Sequence, residues 1–243
     1  SAENLDALEE KLRAAMASAG RMWFRMGAFP QTEALVVRLV NDLRMKIRMG
    51  IEPPLAFLDP GAALHEQRLF KSEEELGWMR KAAAISAEAH LLAMAQAKPG
   101  MKEYELDALL SFTFRRHGGQ GAGWSYPSIV AGGDNANILH YTQNDVELKD
   151  GDLVLIDAGA ELNGYAADIT RTFPVNGIFS SAQKEVYEVV LSALEASIQE
   201  CKTGAPFHGI HQAALSVLCD GLRQLKITKD SVEEMLEKET YRS

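Results

Sequence analysis

Cysteine is scarce in this chain of 243 residues, because Cys201 and Cys219 are the only two. Two cysteines this far apart exclude a disulfide scaffold and a cysteine-rich metal knuckle. Basic residues are also in the minority, with 25 Lys and Arg against 34 Asp and Glu and a net charge of -9. Such a chain has no basic field that attracts phosphates, which argues against a nucleic-acid partner. A globular protein in the reducing cytoplasm is the default expectation.

Long apolar runs are missing as well. No segment approaches the roughly 18 apolar residues that a membrane-spanning helix needs. The opening segment, SAENLDALEE, is acidic, whereas a signal peptide begins with basic residues. The sequence therefore predicts neither a membrane partner nor an export signal.

Helical and strand patterns together predict an α+β protein. Apolar spacing and capping signals predict helices at residues 3–18, 32–49, 72–97, 102–116, 180–201 and 208–225. Period-two patterns predict strands at 127–131, 138–141, 152–158 and 165–173. A stretch rich in proline and glycine follows residue 52, and we place a domain boundary there, between residues 55 and 56.

The dipeptide Asn163-Gly164 is a strong signal for a two-residue β-hairpin turn. Counting outward from it places Gly159 opposite Asp168, and Asp157 opposite Thr170. Because side chains alternate with period two, Asp157 and Asp168 then lie diagonally on one face. Two carboxylates this close repel each other unless a cation lies between them, and paired oxygen donors suit a divalent metal. The alternative is that both aspartates lie solvated at strand ends, but Asp168 falls in the middle of its predicted strand.

Several ordered motifs surround this hairpin. Three motifs precede the aspartate segment at 150–173: HEQRLFKS at 65–72, WSYPSIV at 124–130 and NILHYT at 137–142. A fourth motif, FPVNG at 173–177, begins at the last residue of that segment. Together they resemble the pita-bread metallopeptidases, and within that superfamily the aminopeptidase P (Xaa-Pro aminopeptidase) branch. The superfamily also contains prolidase and methionine aminopeptidase.

The resemblance implies an incomplete pita-bread fold. Residues 56–243 would form the first part of the catalytic domain, and residues 1–55 would be the remnant of an N-terminal domain. Family members hold two divalent metal ions with two Asp, one His and two Glu. Asp157 and Asp168 match the two Asp, and the other three ligands would follow residue 243. The chain is therefore expected to be an internal fragment that is inactive alone. Manganese is the expected metal, with zinc and cobalt as alternatives.

Two further residues match the family's site. His140 corresponds to a histidine beside the metals that would stabilise the oxyanion as a partly buried imidazole and contact substrate. The residues alone favour a core histidine at this position. Tyr126 corresponds to a residue that lines the substrate pocket, with a core aromatic residue as the alternative.

The implied function is removal of the N-terminal residue from peptides with proline in second position. Prolidase and methionine aminopeptidase are alternatives of the same fold, and a non-catalytic pita-bread binding module is an alternative of another class. The resemblance also implies a homo-oligomer for the full-length enzyme.

Overall fold

The structure is a computed structural model that describes residues 7–118 and 123–242. Within them lie eight α-helices and seven short strands. The helices are α1 (Leu8–Met16), α2 (Pro30–Arg44), α3 (Gly61–Leu69), α4 (Glu73–Gln96), α5 (Glu103–Arg116), α6 (Ser181–Glu200), α7 (Phe207–Gln224) and α8 (Val232–Lys238). The strands are β1 (Arg21–Trp23), β2 (Ala56–Leu58), β3 (Ile129–Gly132), β4 (Leu153–Ala158), β5 (Glu161–Leu162), β6 (Tyr165–Ala166) and β7 (Ile169–Pro174). Among these residues, no helix is both long and apolar enough to cross a bilayer.

The chain divides into two compact units, one ending at Leu76 and the other beginning at Gly77. In the first unit, β1 and β2 pair in parallel, with Arg21 opposite Ala56. The apolar face of α2 is buried there against α1. The first unit extends to Leu76, past the boundary that the sequence predicts between residues 55 and 56. Directly after that predicted boundary, β2 pairs with β1. The identity of the two parts as family domains stays a prediction.

The second unit is built on a three-stranded antiparallel sheet in the order β3-β4-β7. Strand β4 alternates strictly, with Val154, Ile156 and Ala158 buried and the residues between them half-buried. The buried face packs in one core cluster with apolar residues of α4 and α5, among them Leu106 and Phe114. The alternation therefore leaves Asp157 on the face that points away from this core.

The hairpin register is as the sequence predicts. Asn163 and Gly164 have φ values of 52° and 82°, the two positive values that a type I′ turn requires. Leu162 pairs with Tyr165 across the turn. Further out, Asp157 pairs with Thr170, which confirms the predicted register.

The predicted continuous strand at 165–173 is wrong, because β6 and β7 are separated by Ala167 and Asp168. The carbonyl of Ala167 accepts a hydrogen bond from Ser125 Oγ at 2.9 Å. The same carbonyl lies so close to Gly159 that an added Cβ atom would be 1.8 Å from it. Asp168 therefore occupies a break between strands and not a mid-strand position.

The predicted strand at 138–141 is also wrong. Residues Gly133–Asn137 form a 3₁₀-helix, and a turn follows in which His140 has a φ of 56°. A left-handed residue cannot continue a strand. The predicted helix at 32–49 ends at Arg44, and α3, α8, β1 and β2 had no predicted counterpart. The glycine-rich loop at 118–123 falls largely outside the described residues, as do residues 3–6 of the first predicted helix.

Candidate metal centre

The residues on either side of Asp157 in β4 are part of the buried core. Its neighbours Ile156 and Ala158 are completely buried on the opposite face of β4. Two flanking strands, β3 and β7, pair with this part of β4, and Ile129 and Thr170 lie directly opposite Asp157. The half-buried carboxylate therefore projects from a rigid central strand.

Asp168 lies in the break between β6 and β7 and is exposed. Its Oδ1 accepts a hydrogen bond from Tyr126 Oη at 3.0 Å. The same Tyr126 hydroxyl lies 2.5 Å from Asp157 Oδ1. Because both oxygens are within hydrogen-bond distance of one atom, they lie within about 6 Å of each other. The prediction that the two carboxylates point into a common space is confirmed.

Tyr126 is held in place by the chain segment before it. Trp124 forms an isolated bridge with Ala160. Ser125 N donates to the Gly159 carbonyl at 2.8 Å, while Ser125 Oγ donates to Ala167 at 2.9 Å. This segment therefore contacts both chain stretches that carry the aspartates, and the hydroxyl of the next residue, Tyr126, lies within hydrogen-bond distance of both carboxylates.

The tyrosine hydroxyl remains a proton donor. Burial raises the pKa of Tyr126 above its ordinary value, and the hydrogen bonds to Asp157 and Asp168 raise it further. A phenol has a single O–H proton, so Tyr126 donates to one carboxylate at a time, and its shorter distance is to Asp157. Tyr126 is thus neither an isolated core aromatic nor remote from the site. Its contact with substrate stays a prediction.

His140 differs from the sequence expectation. Its side chain is exposed, which contradicts both a partly buried imidazole and a core histidine. Within the described residues, the hydrogen-bonded set at the aspartates is formed by Tyr126 and does not include His140. Its left-handed backbone is uncommon for a residue other than glycine, and such conformations occur at functional sites.

The donors that converge are all oxygens, which suits manganese or another hard divalent cation. Asp157 and Asp168 are the residues that could hold it. In the described ranges, no set of three or more His, Cys, Asp and Glu side chains comes together as a metal site. The two aspartates therefore fit part of a coordination sphere, and further ligands would be needed to complete it.

Sequence reasoning missed two residues that shape the region, Ser125 and Glu103. Ser125 supplies the hydroxyl that holds the break beside Asp168. Glu103 begins α5, where an acidic residue is ordinarily a solvated partner of the helix dipole. No pattern in the sequence distinguishes a buried carboxylate from an exposed one at such a position.

Comparison with known proteins gives the family. The model of metallopeptidase family M24 matches residues 77–236. The chain belongs to this family. It is 41% identical over 221 residues to the Xaa-Pro aminopeptidase of Escherichia coli K12, an alignment that covers 91% of this chain and 50% of that protein.

Solved structures agree with this assignment. Aminopeptidase PepP of Pseudomonas aeruginosa superimposes with a TM-score of 0.91 at 41% identity, over 100% of this chain and 54% of that one. Zinc-substituted aminopeptidase P of Escherichia coli in complex with product gives a TM-score of 0.89 at 38% identity, over 98% and 53%. The fold is therefore the α+β pita-bread fold of aminopeptidase P, and the chain spans about half the length of these relatives.

Proposed function

We propose that this chain contributes two metal ligands, Asp157 and Asp168, to an aminopeptidase that removes the N-terminal residue from peptides with proline in second position. The observation that carries the proposal is the convergence of Asp157 and Asp168 on the Tyr126 hydroxyl. The identity to an Xaa-Pro aminopeptidase supports the substrate class. A cytoplasmic location and a homo-oligomeric full-length enzyme stay predictions of the sequence.

Asp157 and Asp168 would hold two divalent metal ions, with manganese preferred because the donors are carboxylate oxygens. Bound ions of this kind supply Lewis acidity at the scissile carbonyl and a nucleophile at neutral pH. Two carboxylates cannot fill a sphere of about six ligands per ion. We therefore propose that the chain alone binds manganese poorly and does not cleave peptides.

Tyr126 would hold the two aspartates in one orientation. Its hydroxyl reaches one oxygen of each carboxylate, which leaves the second oxygen of each for other partners. Partners that orient ligands in this way affect metal affinity about 10- to 100-fold. The same residue would form one wall of the substrate pocket.

His140 would donate a hydrogen bond to the oxygen of the scissile carbonyl as negative charge develops there. Its exposure leaves the imidazole accessible to a peptide, and the residue lies in a turn with a left-handed backbone. The role requires the ring to face the bound peptide.

The test is peptide cleavage by the full-length protein in manganese. Cleavage of an Xaa-Pro-Xaa peptide is compared with cleavage of an Xaa-Pro dipeptide and of an Xaa-Ala-Xaa peptide. We expect activity on the first substrate only, and loss of that activity in Asp157→Asn and Asp168→Asn. The exposed Asp220→Asn is the matched control, which should keep full activity.

Other outcomes of this test would indicate one of the alternative functions. Cleavage of the dipeptide alone would indicate a prolidase. Metal and peptide binding without cleavage by the full-length protein would indicate a non-catalytic binding module. Full activity in both aspartate variants would refute the assigned site.

A further inference from the structure

Glu103 is a completely buried carboxylate with four hydrogen-bond donors around it. Its Oε1 accepts from Gly132 N at 2.8 Å and from Asn135 Nδ2 at 3.0 Å. Its Oε2 accepts from Tyr141 Oη at 2.7 Å and from Val146 N at 3.0 Å. A carboxylate offers about four lone-pair sites, so these donors occupy them all. None of these four partners is a cationic side chain. A buried carboxylate is costly unless its oxygens are hydrogen-bonded, and here these four donors provide the hydrogen bonds.

The four donors share a location. All of them belong to residues 132–146, which comprise the last residue of β3 and the connection that returns toward β4. This connection carries His140 at an exposed turn. Gly132 and Asn135 lie on its outgoing arm, and Tyr141 and Val146 on its returning arm. The backbone N of Glu103 adds a bond to the Val146 carbonyl at 3.0 Å. One residue of α5 therefore ties both arms of the connection together.

A second contact holds the returning arm. Asn144 Oδ1 accepts from Val130 N at 3.0 Å, and its Nδ2 donates to the Ser128 carbonyl at 2.9 Å. Like His140, Asn144 has a left-handed backbone, with a φ of 50°. Asparagine adopts this conformation more readily than most residues, and the two hydrogen bonds of its side chain hold it in place here. The connection is thus pinned on both sides of the exposed turn.

Tyr141 links the buried carboxylate to the turn. It directly follows His140, and its side chain is only 5% exposed while that of His140 points to solvent. Burial and the neighbouring Glu103 carboxylate raise the pKa of Tyr141 to about 12, so its hydroxyl remains a donor. The position of the residue after His140 is therefore set by its bond to Glu103.

We propose that Glu103 is a positioning residue that fixes the His140 turn through the hydroxyl of Tyr141. Its importance for catalysis rests on the proposed function, whereas its control of the turn does not. Glu103 itself lies buried behind the connection and does not touch the reacting groups. A side chain misplaced by about 1 Å can cost on the order of 100-fold in rate.

The first test measures the turn in the 243-residue chain by NMR. Tyr141→Phe removes one donor and keeps the ring, and Glu103→Gln keeps the shape but replaces an acceptor oxygen by a donor. We expect both variants to shift the backbone signals of His140 and to lower its order parameter from about 0.85 toward 0.6. The controls are Tyr104→Phe and Glu195→Gln, two substitutions at exposed positions, which should leave the backbone signals and order parameter of His140 unchanged.

A merely structural role gives a different result. Folded Tyr141→Phe with wild-type His140 signals, accompanied only by a lower melting temperature, would overturn the proposal. If Glu103→Gln fails to fold, Tyr141→Phe alone decides, because it leaves three of the four donors in place.

The second test is a double-mutant cycle in the full-length protein. We expect Glu103→Gln to lower kcat about 10- to 100-fold with little change in KM, and to have no further effect when His140→Ala is already present. An undiminished effect in the His140→Ala background would refute action through the histidine. Absence of peptidase activity in the unmodified full-length protein would refute the proposed function, and the NMR result would still decide the positioning role.

Discussion

Gly159 gives the strictest test of the hairpin that carries the two aspartates. A Cβ atom added at this position would lie 1.8 Å from the Ala167 carbonyl oxygen and 2.5 Å from the carbonyl carbon. Both are backbone atoms, so no side-chain rotation can relieve the overlap. In Gly159→Ala, the peptide between Ala167 and Asp168 must therefore move away from β4.

The cost of that movement can be worked from the contacts of Ala167. Its N donates to the Ala160 carbonyl at 2.9 Å, and its carbonyl accepts from Ser125 Oγ at 2.9 Å. Overpacking a tight site costs about 1–3 kcal/mol. Each lost hydrogen bond adds about 1 kcal/mol. We expect Gly159→Ala to lower the free energy of unfolding by about 3–5 kcal/mol.

Urea unfolding of the 243-residue chain measures this difference. The matched control is Gly77→Ala, because Gly77 is exposed within α4 and an added Cβ there would meet nothing within 4 Å. That control should gain stability by up to about 1 kcal/mol, since alanine favours a helix over glycine. A loss below about 1 kcal/mol in Gly159→Ala would refute the reasoning, because it would mean that the two chain stretches are not in contact.

Three other predictions concern the site itself. Tyr126→Phe should weaken manganese binding by the full-length protein about 10- to 100-fold in calorimetry, and an unchanged or tighter Kd would contradict the orienting role. His140→Ala in the full-length protein should lower kcat about 10²- to 10³-fold with little change in KM. Because the His140 side chain is exposed, the melting temperature of this variant should barely change. Wild-type turnover in the variant would exclude the oxyanion role. The 243-residue chain alone should show no cleavage of Xaa-Pro peptides and should bind manganese poorly, so measurable cleavage, or calorimetric binding in the micromolar range, would prove this expectation wrong.

The register of the hairpin could be predicted because its determinants are local. Asn163 and Gly164 tolerate the positive φ values of a type I′ turn, and a two-residue turn fixes every pair that follows. Strict alternation then decides that Asp157 lies on the face opposite the core. These steps require only neighbouring residues, so the sequence contains all the information they need.

Two of the errors lie where a distant residue contacts the segment that was predicted wrongly. The pattern at 165–173 is that of one strand, but a hydroxyl from Ser125 takes the carbonyl of Ala167. The pattern at 138–141 is apolar enough for a strand, but His140 lies in a turn with a positive φ, and the next residue, Tyr141, binds the distant Glu103. The two hydrogen-bond partners are separated by 42 residues in the first case and by 38 in the second. Local propensity cannot report such contacts.

The Tyr126 hydroxyl explains how two carboxylates can be held together by the protein chain itself. Without a donor between them, their repulsion would oppose the same register that the turn and the core impose. The Tyr126 phenol lies within hydrogen-bond distance of both carboxylates, and burial and the two carboxylates raise its pKa. Its one proton offsets part of that repulsion through a charge-assisted hydrogen bond to either carboxylate. The direction of the aspartates is then a property of the folded hairpin, so a cation would meet ligands that are already oriented. Preorganisation of this kind lowers the ordering cost of binding, and it makes Tyr126 as much a part of the candidate metal centre as the aspartates themselves.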